Sequence, residues 1–442
     1  MSSRVRSRMV EFDRDRYARV GQVQLGERGV LTPQYSPLLK SKSPDEMEIF
    51  LHARTLTEAT NSKSCVVRLF DAEDILGTRR SNLTQRRMDN LTRFVEEPFV
   101  DFVNNGFPIV DPAPEYLLYE PNQSKWIADN IPKLLSNYAQ ECVRRHKRVE
   151  TGRESQTAYR KWKQAHHRTF WTQLSKDARS RNSLIGDIYD QELRHGSPFM
   201  LPIVPLITDD KMLEISLQIN SVGASIGAKR EATFANYFVL PSRKVAHRPT
   251  MAKILEYVRS SAATANFFKF KYQNLTASGN RGQLFGYRDF LQEIALLRSK
   301  NHNRLFAVLD NGYQAFPSAV VAFDIVSTSI TGFDLEGGHG QSPFGWWLDP
   351  EEMVHISFED TLEVFRNSGN VLPCGHATCR SLDLRGIGHE EWNIARRRCS
   401  FLTLSNYMSM ITEAIATKRT ELTIDKINRS DLVRLRKLIP RA

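Results

Sequence analysis

The 442-residue sequence is poor in the features that mark secreted, membrane-spanning and disulfide-stabilised proteins. It has only five cysteines, an odd number, and three of them lie between residues 374 and 399, so we do not expect a disulfide framework. No apolar run approaches the roughly 20 residues that a membrane-spanning helix needs. The opening residues carry no apolar segment of the kind that directs secretion. We therefore expect a cytoplasmic protein with reduced thiols.

Acidic residues are in the minority, with 50 Asp and Glu against 61 Lys and Arg and a formal net charge of +11. Such a charge favours a polyanionic partner, although a generally basic protein without one explains it equally well. Residues 141–183 hold twelve Lys or Arg against four acidic residues, interleaved with Tyr159, Trp162, Phe170 and Trp171. This segment predicts one or two basic helices, which form either a nucleic-acid-binding arm or a solvated face docked on the body.

Short apolar runs alternate with amphipathic helical patterns along the rest of the chain. Eight such runs joined by helices predict an α/β fold, specifically a (β/α)8 TIM barrel. No Gly-rich phosphate loop follows a run, which weakens the alternative of a doubly wound dinucleotide-binding sheet. The runs are residues 29–37, 64–72, 106–120, 199–207, 236–244, 266–274, 304–310 and 320–329.

The same pattern divides the chain into four parts. Residues 1–121 form the N-terminal part of the barrel, 122–198 a basic helical insertion, 199–370 the C-terminal part of the barrel, and 371–442 a small helical subdomain rich in Cys and His. In a barrel, catalytic side chains come from the carboxyl ends of strands. The polar residues at these predicted ends are Asp71, Asp111, Asp209, Asp210, Arg243, Gln273, Asn274, Asp310 and Asp324.

Cys374, His376 and Cys379 form a C-x-H-x-x-C unit in the C-terminal part. Thiolates and imidazoles this close can bind one tetrahedral zinc if a following helix supplies a fourth ligand. Buried cysteines without a metal are the alternative.

Three stretches together resemble the tRNA-guanine transglycosylases, which exchange a guanine for a 7-deazaguanine. They are "YARVGQVQLGERGVLTPQYSPLLKSKSPDEM" (17–47), "AVVAFDIVSTSITGFD" (319–334), and the C-x-H-x-x-C unit with the helix "FLTLSNYMSMITEAI" that follows it. The resemblance covers residues 17–47 and 199–415 and not the basic segment. It implies a barrel in which a strand aspartate attacks the sugar carbon C1′ and forms a covalent glycosyl-enzyme.

The resemblance assigns roles residue by residue. Asp324 is placed at the nucleophile position, and Asp111 is the positional counterpart of the aspartate that moves protons near the base, with Asp71 as the second choice. Asp209 or Asp210 takes the place of the guanine-recognising aspartate. Gln273 and Asn274, at another strand end, are further base-binding candidates. Without the resemblance, Asp324 is typical of a capping aspartate after a strand and Asp111-Pro112 of a turn.

The metal-binding pattern departs from that of the family. The family has Cys where this chain has His376, which keeps a ligand, and a ligand histidine where this chain has Ser405, which does not. His389 or Cys399 would then supply the fourth ligand, or the site would be empty. The resemblance implies a structural zinc that pins the C-terminal subdomain and a homodimer surface, away from the substrate.

The expected function is that of a pentosyltransferase, an enzyme that exchanges guanine and a 7-deazaguanine in DNA or an unusual RNA, in a modification or antiviral-defence setting. Two alternatives are open: an enzyme of this kind with another acceptor, such as a protein, and a barrel without catalysis that binds nucleic acid or a partner subunit. The acceptor and the incoming base are not determined by the sequence.

Overall fold

Helices and strands alternate through the part of the chain that the structure, a computed structural model, describes. None of the helices found there combines the length and the apolar composition that crossing a bilayer requires. The described residues are 6–13, 18–25, 28–39, 64–68, 107–111, 133–194, 199–240, 248–261, 267–272, 288–300, 306–310, 324–328, 347–350 and 355–417.

An antiparallel sheet of three strands begins the chain. Its strands are β1 (Arg6–Asp13), β2 (Ala18–Leu25) and β3 (Arg28–Thr32), paired in the order β1-β2-β3. One residue separates β3 from β4, so this sheet leads directly into the main sheet.

The main sheet has seven parallel strands in the order β6-β5-β4-β10-β9-β8-β7. Two parallel bridges, Met200 to Phe234 and Leu206 to Val239, place residues 200–206 beside β7. Each of the eight predicted apolar runs thus contributes a parallel segment, and all their carboxyl ends lie at one edge, here called the carboxyl edge. The strands are β4 (Gln34–Leu39), β5 (Ser64–Arg68), β6 (Phe107–Asp111), β7 (Ala235–Leu240), β8 (Phe267–Tyr272), β9 (Phe306–Asp310) and β10 (Ile325–Thr328).

Nine described helices and one small hairpin complete the structure. Three of the helices lie between β6 and residue 200, and three connect successive parallel segments. The helices are α1 (Lys133–Glu150), α2 (Gln156–Lys176), α3 (Ala178–Arg194), α4 (Asp210–Lys229), α5 (Arg248–Ser261), α6 (Arg288–Lys300), α7 (Phe358–Asn367), α8 (Ala377–Arg380) and α9 (His389–Ala416). The hairpin strands are β11 (Trp347–Leu348) and β12 (His355–Ile356).

The core lies between the main sheet and its helices. All six residues of β7 are buried, as expected for a parallel strand that is covered on both faces. Phe238 packs edge-on against Tyr257 of α5, and Phe270 of β8 packs in the same way against Phe290 of α6. These contacts identify the face of the sheet that the helices cover.

A buried amide completes the hydrogen bonding of β7. Asn220 of α4 donates to the carbonyl oxygen of Tyr237 at 2.9 Å and accepts from its N–H at 2.8 Å. Because residues 200–206 meet β7 through only two bridges, this side chain takes the place of a strand partner.

Candidate metal centre and carboxyl edge

Four side chains with metal-binding atoms meet in the C-terminal part of the structure. The ligand atoms of Cys374, His376, Cys379 and Cys399 all lie within 4.8 Å of one another. In a tetrahedron with Zn–S bonds of about 2.3 Å, sulfurs lie about 3.7 Å apart, so a small contraction would bring this group onto a zinc ion. The four residues can therefore hold a metal, and their chemistry is compatible with zinc.

Local backbone geometry brings three of these ligands together. Gly375 lies between the first two and has a φ of +68°, a conformation that glycine adopts without strain. His376 is the N-cap residue of the short helix α8, which carries Cys379. Cys399 comes from the long helix α9, so the metal would join a tight loop to a rigid element.

A small apolar core surrounds the four ligands. It contains Trp347, Phe358, Trp392 and the two buried cysteines. The indole N–H of Trp347 donates to the sulfur of Cys399 at 3.2 Å, a contact that would hold this ligand in position. His376 Nδ1 is buried and has no hydrogen-bond partner among the described residues, which is the state of a ring nitrogen that binds a metal.

The electrostatics of the cysteines also fit a cation. Hydrogen bonds from the thiols of Cys379 and Cys399 lower the pKa of Cys374 far below its ordinary value. Hydrogen bonds with Cys374 and with Cys379, together with burial, raise the pKa of Cys399. Negative charge is therefore favoured on Cys374, and a bound zinc ion would replace the thiol protons of the group.

The structure decides between the two predicted fourth ligands. Cys399 belongs to the cluster and His389 does not, so the prediction of His389 as a ligand is wrong. His389 is exposed at the first turn of α9, ten residues before Cys399, which is about 15 Å along the helix axis. Ser405 lies on the same helix, six residues beyond Cys399. The fourth ligand atom of the cluster therefore comes from Cys399 and not from position 405 of the same helix.

Asp324 lies at the start of its strand and not at its end. It comes immediately before β10 and its N–H donates to the carbonyl oxygen of Ala307, near the start of β9. The prediction that this carboxylate ends a strand is therefore wrong, because the strand begins one residue after it. In a parallel sheet this position is the amino edge, opposite the edge where barrel enzymes hold their catalytic residues.

The contacts of Asp324 are those of a structural ion pair. The side chain is fully buried and accepts hydrogen bonds from Nε and Nη2 of Arg19, at 3.1 and 3.0 Å, and from Nη2 of Arg298 at 2.7 Å. The N–H of Ala307 donates at 2.8 Å and the hydroxyl of Thr32 at 3.4 Å. Both carboxylate oxygens are thus occupied, and we do not retain Asp324 as a nucleophile.

The two arginines keep this buried carboxyl ionised. Burial raises the pKa of Asp324, but the charges of Arg19 and Arg298 outweigh it, and the net pKa lies below the ordinary value. Burial lowers the pKa of Arg298 to about 10, so its guanidinium is still charged at neutral pH. The group links β2, α6 and the start of β10, and neither arginine was recognised in the sequence.

The carboxyl edge holds other predicted residues. Asp111 is the last residue of β6, as expected for an aspartate at a strand end, and Asp310 is the last residue of β9. Asp209 and Asp210 follow residues 200–206 at the same edge and begin α4.

Asp209 and Asp210 both have structural contacts. Asp209 caps α4 by accepting from the N–H of Met212 at 3.0 Å, and 38% of its side chain is exposed. Asp210 forms an exposed ion pair with Lys253 of α5 at 2.7 Å. The cap explains the position of Asp209, while its second oxygen faces the surface near Arg168 at 3.7 Å. Four other polar strand-end residues lie outside the described residues: Asp71, Arg243, Gln273 and Asn274.

Comparison with known proteins adds no relative. No model of a known protein family matches the chain, and no curated protein matches it. Its function must therefore be inferred from its own residues: a Cys3His cluster, a buried ion pair, and a carboxyl edge with aspartates.

Proposed function

We propose that this chain is a transglycosylase-like enzyme that exchanges guanine and a 7-deazaguanine base in a nucleic acid, through a covalent aspartyl-glycosyl intermediate. The observation that carries the proposal is the strand order of the main sheet. Each parallel segment from residue 200 onward lies beside the next one in the chain, and the last strand, β10, lies beside the first, β4. This is the order that the resemblance implies.

We further propose that the sheet closes as a (β/α)8 barrel. Crossovers between parallel strands are right-handed, and here successive ones move in the same direction, which puts their helices on one face. The other face is then covered only if the sheet closes on itself. Closure requires β6 to meet residues 200–206. In an open sheet these segments would lie at opposite edges, about 34 Å apart for a strand spacing of about 4.8 Å.

The proposed reaction takes place at the carboxyl edge, with Asp310 as the nucleophile in place of Asp324. In a closed eight-stranded ring, β9 and β6 lie on opposite sides, so Asp310 and Asp111 would flank a bound nucleotide. A displacement needs its nucleophile and the acid for the leaving group on opposite faces of the reacting carbon. In the register of the sheet, Lys271 of β8 pairs with Asp310, which places a basic residue beside the proposed nucleophile.

The proposed reaction consists of two successive displacements at C1′. The Asp310 carboxylate forms a bond to C1′ as the bond from C1′ to guanine breaks, and guanine takes a proton from Asp111. The incoming 7-deazaguanine then gives a ring N–H proton to Asp111, attacks C1′, and releases Asp310. Asp209, with its exposed oxygen, is our candidate for recognition of the base at this edge.

The metal would have a structural role. Cys374, His376, Cys379 and Cys399 would hold a zinc ion with four protein ligands, which leaves no position for substrate. The ion would fix α8 against α9 and so stabilise the C-terminal part. We propose that this part also forms a homodimer surface.

A second function is favoured by the contacts of Asp324. Since the residue that the resemblance assigns as nucleophile is bound by two arginines, the chain could be a barrel without catalysis that binds nucleic acid or a partner subunit. The two functions differ in whether the folded wild-type protein releases guanine from a nucleic acid.

Base exchange is measured directly with DNA and RNA that carry radiolabelled guanine. The protein is incubated with each nucleic acid and a panel of 7-deazaguanines, and released guanine is counted. We expect release that is abolished by Asp310→Asn and Asp111→Asn. No release by the folded wild-type protein from any acceptor would refute the enzymatic proposal and favour the binding one.

A further inference from the structure

The positive charge of the chain is concentrated on two helices. The segment formed by α1, α2 and the residues between them, residues 133–176, is here called the α1–α2 hairpin. It contains eleven Lys or Arg and three acidic residues, whereas α3, which follows it, contains three of each. The charge is therefore a property of this hairpin and not of the helical insertion as a whole.

One side of the hairpin is fixed to the body of the protein. Phe170, Trp171 and Leu174 of α2 are buried in the main apolar core, together with residues of α3 and α4. Basic side chains remain exposed on the other side. These are Arg144, Lys147, Arg148, Arg153, Lys161, Arg168 and Lys176.

All three acidic residues have partners inside the hairpin, and the third, Glu150, lies 3.3 Å from Nδ1 of His146. Glu141 and Glu154 accept from the guanidinium of Arg145 at 3.1 and 2.8 Å, and Glu141 also accepts from Arg144 at 2.8 Å. The hydrogen bond from Arg144 is the main cause that lowers the pKa of Glu141. These two carboxylates hold Arg145 in place, while Lys147, Arg148 and Arg153 are exposed at the surface.

Planar groups form a column along α2. The guanidinium of Arg145 lies 4.6 Å from the centroid of the Trp162 ring. Trp162 stacks with His166 at 4.9 Å and with Tyr159 at 6.1 Å. Tyr159 is buried, Trp162 is half-buried and His166 is exposed, so the column ends at the surface in an imidazole ring.

The hairpin also lies beside the carboxyl edge of the sheet. Arg168 of α2 is 3.7 Å from Asp209, which caps α4 at that edge. A strand of nucleic acid on the hairpin would therefore be near the residues that we propose as the active site.

We propose that the α1–α2 hairpin binds single-stranded nucleic acid, with a base stacked on His166 and phosphates at Lys147, Arg148 and Arg153. A base can stack on a protein ring only when it is out of its duplex, and every base offers such a face. The basic side chains displace counterions from the phosphates without reading the sequence. This inference rests on the proposed function, which supplies the class of ligand, a nucleic acid, and it adds that the nucleic acid is single-stranded.

Binding is measured by fluorescence anisotropy with a labelled 15-nucleotide oligothymidylate and a 15-base-pair duplex, in 50 to 300 mM NaCl. We expect tighter binding of the single strand. The slope of log K against log salt is negative, and each single-strand phosphate contact contributes about 0.7 to its magnitude. The variant Lys147→Ala/Arg148→Ala/Arg153→Ala should therefore reduce that magnitude by about 2. A control variant removes the same charge from exposed residues elsewhere, with an unchanged slope expected: Arg6→Ala/Lys229→Ala/Arg366→Ala.

The stacking role has its own test. His166→Ala should weaken binding of the single strand about 5- to 150-fold, and His166→Phe should restore it, since base stacking on a ring contributes about 1–3 kcal/mol. Equal effects of the two triple variants, or no restoration by phenylalanine, would overturn the inference.

The outcome is separable from that of the proposed function. Binding that depends on the hairpin, in a protein that releases no guanine, refutes only the enzymatic proposal. Guanine release with binding that does not depend on the hairpin refutes only this inference.

Discussion

Replacing Asp324 with asparagine should destabilise the fold. The carboxylate is fully buried and neutralises two buried guanidinium groups, Arg19 and Arg298. Removing one partner of a buried ion pair costs about 3–5 kcal/mol, because an uncompensated charge is left in the interior. With two arginines left on one neutral amide, we expect a loss at the upper end, about 5 kcal/mol, a large part of the roughly 5–15 kcal/mol that stabilises a typical domain.

The assay is urea unfolding followed by far-ultraviolet circular dichroism. Asp190→Asn is the matched control, because Asp190 is a half-exposed partner of Arg230 and such surface pairs contribute only about 0–1 kcal/mol. Arg298→Met should destabilise less than Asp324→Asn, since it leaves Asp324 with the two hydrogen bonds from Arg19. A variant Asp324→Asn that is as stable as the wild type, but has lost guanine release, would refute the structural role and restore Asp324 as a catalytic residue.

Three further predictions concern the metal, a buried histidine and two glycines. Cys399→Ser removes one of four ligands, so mass spectrometry should find less than the expected zinc content of about one ion per chain. His389→Ala should leave the zinc content unchanged, because His389 is not part of the cluster. Equal zinc contents in the two variants would contradict this prediction. Burial and then the charge of Lys163 lower the pKa of His167 to about 4, so the unfolded state binds its proton first as the pH falls. Between pH 6.5 and pH 4 stability should therefore decrease by up to about 3 kcal/mol, and His167→Phe should remove that part of the pH dependence in urea unfolding. Gly223→Ala should destabilise the fold by about 1–3 kcal/mol, since the new Cβ would lie 2.5 Å from the ring of Phe234. At Gly186 a new Cβ would meet only the flexible end of the Arg230 side chain, at 3.6 Å. Gly186→Ala should therefore stabilise the fold by about 0.5–1 kcal/mol in the same assay.

The main features of the sheet could be predicted from the sequence because they depend on local patterns. Apolar runs that alternate with amphipathic helices indicated eight parallel segments, and all eight are present. The basic segment gave a helical signal in the same way. The partner of each strand does not follow from such a pattern, because pairing joins residues far apart in the chain.

The candidate site was predictable in part for the same reason. Cys374, His376 and Cys379 lie within six residues, so their spacing alone indicated a metal, whereas the choice of Cys399 required the packing of α9. Asp324 was assigned to the wrong end of its strand, since an apolar run does not mark where hydrogen bonding begins. Its partner Arg19 is 305 residues away in the sequence, a separation at which no local pattern indicates a contact.

The most direct test of the account is to locate the covalent intermediate. The protein is incubated with guanine-containing nucleic acid in the absence of an incoming base, quenched in acid, digested, and analysed by tandem mass spectrometry. We predict a glycosyl adduct on Asp310, in the peptide that ends β9. An adduct on Asp324, or adduct formation that persists unchanged in Asp310→Asn, would contradict the assignment of the chemistry to the carboxyl edge.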